Sequence, residues 1–211
     1  MKTINVVQSK EMIIKVCDAI IANKPYLTEV DSKIGDGDHG IGMAGGMEKA
    51  KAALLGNSEF ATVNEVFKTT GMQMLNSMGG ASGVIFGSMF LGGVKGLDPI
   101  TELDGEIFTK MMRASVESIK ARGKAQMGDK TMVDAFEPAV EAMEKAEKSD
   151  LTVLLEEAAK AAKQGVEDTK EMIAKFGRAK SLMERAVGYQ DAGATSVQII
   201  FETMYEYVKL L

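Results

Sequence analysis

The chain has few of the residues that build metal clips and disulfide frameworks: its 211 positions include one cysteine, Cys17, and one histidine, His39. An intrachain disulfide and a CxxC metal site are excluded. A structural zinc site prefers several Cys and His ligands and finds no support in one of each, far apart. Excess basic charge is also missing, since 25 Lys and Arg stand against 30 Asp and Glu, a formal net charge of −5. Nucleic-acid phosphates are neutralised by clustered Lys and Arg, so no nucleic-acid partner is expected. No run approaches the roughly 18 apolar residues of a membrane span. The nearest, SGVIFGSMFLGGVKG, is short and broken by glycines. The opening MKTINVVQSKEM carries neither an apolar core nor a small-residue cleavage site, so it does not read as a signal peptide. A soluble cytoplasmic protein without a membrane partner is expected. With no Pro- or Ser-rich linker, residues 1–211 read as one domain.

Strand signals are scarce too, with little period-2 alternation and few β-branched runs. What is present is helical periodicity. Ile13, Val16, Cys17, Ile20 and Ile21 follow i, i+3, i+4, i+7, i+8, one stripe of an amphipathic helix ending before Pro25. Ile107, Phe108, Met111, Met112, Val116 and Ile119 repeat the pattern, as do Val197, Ile200, Phe201, Met204 and Val208. Further helices are predicted around 40–54, 63–77, 81–94 and 131–146, and another from Asp150, a candidate N-cap, through a segment rich in Ala, Leu, Glu and Lys. Pro138 either kinks the 131–146 helix or marks its first turn. The total is about eight helices, an all-α chain. The 81–94 helix is apolar on nearly all faces and is expected at the centre. Cys17 reads as a small buried thiol, and most of the sixteen methionines as core filling.

The unusual sequence lies between helices. VDSKIGDGDHG, SMGGASG, ARGKAQMGDKTM, KFGRAK and VGYQDAGA are Gly-rich, and most abut a helix start, which suggests a shared mouth. The first gathers Asp31, Asp36 and Asp38 on what reads as a flexible loop. An EF-hand counted from Asp31 would need ligands at Lys33, Gly35 and Gly42, so that reading fails. Magnesium takes oxygen ligands, a few carboxylates and nucleotide phosphates, and three aspartates suit it. Turn formation and helix capping are the plainer alternative for the same residues.

GDGDHG and GIGMAG both satisfy G-x-G-x-x-G, but no buried parallel strand precedes them, so neither is a dinucleotide fingerprint. There is also no GxxxxGK[ST]. Gly79, Gly80, Ala81 and Ser82 stand where a helix begins, so free backbone N–H groups and the helix dipole can attract an anion. Arg178, in a Gly-flanked loop, can clamp phosphate oxygens bidentately. Close helix packing and a solvated surface charge are the respective alternatives.

Four segments in order, IGDGDHG, TGMQMLNSMGGASGVIFG, SIKARGKAQMGDKTMVD and GRAKSLMERAVGYQDAGATS, resemble the nucleotide-binding L subunit family of dihydroxyacetone kinases across essentially the whole chain. The resemblance implies a barrel of eight antiparallel amphipathic helices, with ADP or ATP and two magnesium ions at one end. By position, Asp31, Asp36 and Asp38 would be the magnesium ligands. His39, Gly40, Ile41 and Gly42 would follow the nucleotide at their helix start, and Ala81 and Ser82 would contact phosphate. Gly123 and Met132 would border the base or ribose, and Arg178 with Asp191, Ala192 and Gly193 would close the site. Two departures stand out. The family often shows His-Gln-Asp-Pro-Gly where this chain has Tyr189-Gln190-Asp191-Ala192-Gly193, and losing proline predicts a more mobile turn. Ile41-Gly42 replaces an Asn-containing segment and removes a side-chain contact.

The implied chemistry is phosphoryl transfer to a short ketose, in which catalysis is mostly positioning and electrostatics. No catalytic residue for the sugar is assigned in this chain. The family places that role in a K subunit that holds the triose covalently on a histidine. ADP would be rephosphorylated in place by a phosphohistidine carrier, the M subunit of the sugar phosphotransferase system. An exchangeable ATP and a non-catalytic nucleotide-binding adaptor remain open as alternatives, and so does a homodimer.

Overall fold

The computed structural model describes residues 2–147 and 150–211. Its helices are α1 (Val6–Ala22), α2 (Lys24–Ile34), α3 (His39–Gly56), α4 (Val63–Ser77), α5 (Gly80–Val94), α6 (Gly105–Gly123), α7 (Val133–Lys145), α8 (Leu151–Asp168) and α9 (Ala192–Lys209). Two three-residue strands, β1 (Thr3–Asn5) and β2 (Glu102–Asp104), pair antiparallel with Ile4 opposite Leu103.

Eight of these helices close a ring. In order α1, α3, α4, α5, α6, α7, α8 and α9 pack each on the next, and α9 packs back on α1. The apolar stripes read from the sequence line its interior: Ile13, Val16, Cys17 and Ile20 from α1, Phe108, Met111, Met112, Val116 and Ile119 from α6, and Val197, Ile200, Phe201, Met204 and Val208 from α9 are all buried. Each such side chain contributes roughly 1.5–3 kcal/mol by leaving water. Met12, Met43, Met47, Met74, Met89 and Met143 fill the gaps between them. Burial pushes the Cys17 thiol up to about 12, as expected of an inert core thiol.

Local chemistry sets the ends. Asn5 and Gln8 form a reciprocal capping box on α1, and Asp150 caps α8 through Thr152 N–H at 2.9 Å. Pro138 lies inside α7, where its missing N–H leaves the Asp134 carbonyl without its helical partner. Gly165 of α8 packs against that carbonyl, and any side chain at 165 would collide with it.

Two expectations are corrected. The 81–94 helix is not central: α5 is one stave of the ring between α4 and α6, and its apolar breadth comes from burial against both neighbours as well as the core. Residues 24–34, unassigned from the sequence, form α2. Pro25 does not merely end α1; it opens the next helix from its first turn, where a missing N–H does no harm. Asp31 therefore sits in the last turn of α2, and the aspartate loop shrinks to residues 35–38.

The two residues between α4 and α5 reach too short a distance for anything but an antiparallel return. With that alternation around the ring, the N-termini of α3, α5, α7 and α9 gather at one end with the C-termini of α2, α4, α6 and α8. All the candidate site residues lie there.

Candidate functional site

Each carboxylate of the first loop is placed where ordinary helix chemistry does not use it. Asp31, half-buried, stands at the C-terminal end of α2, the end where the helix dipole disfavours negative charge. Its side chain accepts from the backbone N–H of His39, at 3.2 Å. Asp38 occupies the position before α3 but makes no side-chain cap bond. Asp36 is exposed and accepts from Arg178 Nε at 2.7 Å. Asp36 and Asp38 thus cap no helix, and Asp31 reaches only the first N–H of α3. One oxygen from each lies within 4.8 Å of the others.

The cluster is electrostatically uneasy on its own. Burial, the charge of Asp36 and a hydrogen bond to it raise the Asp38 carboxyl above its ordinary range, with Asp31 adding to the effect. Desolvation would raise Asp36 as well, but the Asp38 hydrogen bond and the Arg178 guanidinium hold it below the usual carboxylate range. Two carboxylates so close oppose each other's ionisation. A hard divalent cation would relieve that opposition, and an all-oxygen donor set of this size fits magnesium.

His39 turns away from the carboxylates. Its Nε2 lies 2.8 Å from Ser196 Oγ, and its ring packs on Phe86 with centroids 5.7 Å apart. Burial pushes this imidazole down to about 4, against the Asp31 charge and a hydrogen bond to the Ala192 carbonyl, so it is neutral at pH 7. It ties α3 to α9 and leaves its backbone at the mouth. Gly40 is buried against Lys24 O and the backbone and hydroxyl of Thr28, with no room for a Cβ, so its side serves the α2–α3 crossing. Ile41 is 56% exposed, and Gly42 has only Met78 near it.

The start of α5 is bare. Gly79 provides no side-chain cap, Gly80 has φ +67, a conformation that glycine adopts without strain, and Ala81 and Ser82 are exposed. The first N–H groups of α5 lack helical partners and are open to an anion. Gly123 ends α6, where a Cβ would meet Ile85. Met132 is buried just before α7, and Gly193 lies close enough that a Cβ there would be 3.3 Å from Met132 Cβ. Arg178 opens a 3-10 segment, Arg178–Ala186, pinned to the end of α2 by Ile34, Ala174 and Ala186.

The turn at 189–193 is held firmly without its proline. Asp191 caps α9 through Ala194 N–H at 2.7 Å, and its own N–H donates to Thr169 Oγ1. Gln190 donates to Tyr26 and Thr195. Burial pushes the Asp191 carboxyl up to about 7, with Asp134 and Asp31 adding and Ala194 N–H and Lys130 opposing. These bonds act at the turn where the family often has proline.

Sequence reasoning did not single out Lys130, Asp134, Thr169 or Ser196. Lys130 is 1% exposed, and Asp134 accepts from Gly128 and Thr131 N–H. The loop ARGKAQMGDKTM was visible as Gly-rich, but no local signal distinguishes a buried lysine from a solvated one.

Fold and site define an all-helical barrel that gathers hard oxygen donors and free amide groups at one mouth. The chain belongs to the family described as the DAK2 domain, whose model matches residues 33–206. It is 42% identical over 184 residues to the PEP-dependent dihydroxyacetone kinase 1, ADP-binding subunit DhaL, of Listeria innocua, covering 87% of each chain. It is 36% identical over 189 residues to the PEP-dependent dihydroxyacetone kinase ADP-binding subunit DhaL of Escherichia coli, covering 89% of this chain and 90% of that one. The fold is similar to the crystal structure of the dihydroxyacetone kinase from C. freundii in complex with AMP-PNP and Mg2+, with a TM-score of 0.73 and 22% identity over 98% of this chain. The present chain spans about a third, 34%, of that kinase's chain. Among the described residues, no helix is long and apolar enough to cross a membrane.

Proposed function

We propose that the chain is the ADP-binding subunit of a phosphoenolpyruvate-dependent dihydroxyacetone kinase, a single nucleotide-binding unit over residues 1–211 that works in the cytoplasm. The observation that carries this reading is the placement of Asp31, Asp36 and Asp38 at the same mouth as the bare N-terminus of α5. A nucleoside diphosphate with its cations needs both, carboxylates for the metal and N–H donors for the phosphates.

In this reading the three aspartates hold two magnesium ions, which when bound neutralise charge on the phosphate oxygens. The chain's own groups do the rest. The first turns of α3 (His39, Gly40, Ile41, Gly42) and α5 (Ala81, Ser82) orient the phosphates through their backbones. Gly123 and Met132 border the base or ribose, and the Asp191–Ala192–Gly193 turn closes the side. Arg178 is already drawn to the carboxylates and stands where it can move onto a phosphate. None of these residues is a base for the acceptor hydroxyl. A partner K subunit brings the ketose to the mouth, and a phosphohistidine carrier supplies the phosphoryl group.

The test mixes the purified chain with magnesium, ADP and dihydroxyacetone, and adds the K subunit and the carrier in its phosphohistidine form singly and together. Dihydroxyacetone phosphate is expected only when both are present, with ADP retained throughout. Efficient turnover of ATP by the chain alone would overturn the subunit reading. Free exchange of bound ADP for ATP during turnover would favour the ATP-dependent scheme. Nucleotide binding without any transfer would leave the adaptor.

A further inference from the structure

The most deeply buried cation among the described residues lies in none of the roles above. Among the described residues, Lys130 is the only lysine or arginine classed with the buried side chains, at 1% exposure. It sits in the left-handed region at φ +59, a conformation that nearby Gly128 adopts without strain and a lysine does not. Its Nζ donates at 2.5 Å to the Thr169 carbonyl and at 2.5 Å to the Tyr189 carbonyl. It also faces the charges of Asp191 and Asp134. A buried ammonium is tolerated only where its donors and charge are matched. Here the matching groups come from three separate segments: Thr169 after α8, the turn of Tyr189 and Asp191, and Asp134 in the first turn of α7.

We propose that Lys130 is a positioning residue for the nucleotide, one that never touches it. The inference rests on the nucleotide reading above. From the loop before Met132, Lys130 holds the Tyr189 carbonyl and, through Thr169, the turn whose Asp191 N–H donates to Thr169 Oγ1. It thereby fixes the 189–193 turn against Met132 and keeps Gly193 packed on it. Lys130 donates to the Thr169 and Tyr189 carbonyls, and the turn it holds meets the aspartate cluster through the Ala192 carbonyl on His39 and the charge of Asp31 on Asp191. Loss of Lys130 therefore acts first on the base end and less on the phosphate end.

The test compares wild type, Lys130→Met and Lys130→Gln by titration calorimetry with two probes, Mg-ADP and Mg-pyrophosphate. The second has no base or ribose. Lys175→Met, which removes the exposed partner of buried Asp129 of the same loop, serves as control. Disordering the turn lowers the fraction of binding-competent chains, so both Lys130 variants should lose about tenfold or more in ADP affinity. Pyrophosphate affinity should stay within about twofold, and the preference for ADP over GDP should shrink. Equal loss of both probes, no loss of either, or the same loss in Lys175→Met would overturn the proposal. So would failure of both Lys130 variants to fold, judged by circular dichroism, which would make Lys130 a folding residue. Failure of wild type to bind Mg-ADP while binding Mg-pyrophosphate would instead overturn the nucleotide reading itself.

Discussion

Two sets of three aspartates lie near the same end of the barrel, and their surroundings could hardly differ more. Asp129, Asp134 and Asp191 each accept hydrogen bonds from backbone N–H groups of their own turns. Asp129 accepts from Gln126 N–H and Lys175 Nζ, each at 2.7 Å, Asp134 from Gly128 and Thr131 N–H, and Asp191 from Ala194 N–H. Lys130 lies close enough to act on the charges of Asp134 and Asp191. Asp31, Asp36 and Asp38 share one backbone N–H, one exposed arginine and one another. Residue type is identical in the two sets. The difference is donor supply: the first set caps turns and helices through backbone N–H groups, whereas the second converges its oxygens within 4.8 Å with few protein donors. An acidic cluster becomes a metal candidate when the fold declines to satisfy it.

Breaking the unsatisfied set should have the largest effect. Asp36→Asn is expected to weaken magnesium-dependent ADP binding by roughly a hundredfold or more, since changes outside the ligand shell alone typically cost 10–100-fold. The metal-free variant should melt no lower than wild type, because one repulsive charge has been removed. Calorimetric ADP titrations with and without magnesium decide this, and unchanged magnesium-dependent affinity would show that Asp36 is no ligand. The satisfied set should answer in the opposite way. Asp134→Ala leaves buried N–H groups without an acceptor and should destabilise the protein by about 2–3 kcal/mol. Chemical denaturation measures that loss, and a change under about 0.5 kcal/mol would place Asp134 with the solvated residues.

Arg178 stands between the two regimes, an exposed residue with one ion pair. Arg178→Lys should bind ADP about tenfold more weakly than wild type, with Arg178→Ala no tighter, because an ammonium lacks the planar fork. Equal ADP affinity in the three proteins would return it to the surface charges. The smallest effect concerns pH. Asp191 has its carboxyl pushed up from 3.8 to about 7, so between those values the folded chain holds this proton more tightly than the unfolded one. Its contribution therefore favours folding at low pH and is lost as pH rises through about 7, the slope being negative wherever the native state binds more protons. Asp191→Asn keeps a capping side chain. The melting temperature of wild type relative to this variant should rise as pH falls from 8 to 5. A constant difference across that range would mean that Asp191 is ionised throughout.

Much of this molecule was legible in one dimension. The apolar spacing on α1, α6 and α9 identified buried faces because a helix turns its side chains at a fixed angle, whatever surrounds it. The Gly-rich loops and their aspartates were visible for a similar reason, since composition at a helix start constrains what its free N–H groups can meet. Residues 24–34 were missed because Pro25 reads equally as a stop and a start, and only the packing of α2 on α3 chooses. The 81–94 helix was misplaced because a stave gripped on three sides and a helix at the centre share one apolar pattern. Burial of charge was out of reach altogether. The carbonyls that hold Lys130 lie 39 and 59 residues further along the chain, and no local signal says that those segments return to it. The sequence singled out Asp31, Asp36 and Asp38 by their spacing, but only the tertiary structure, by bringing distant segments back together, decided which carboxylates find backbone donors and which converge on one another.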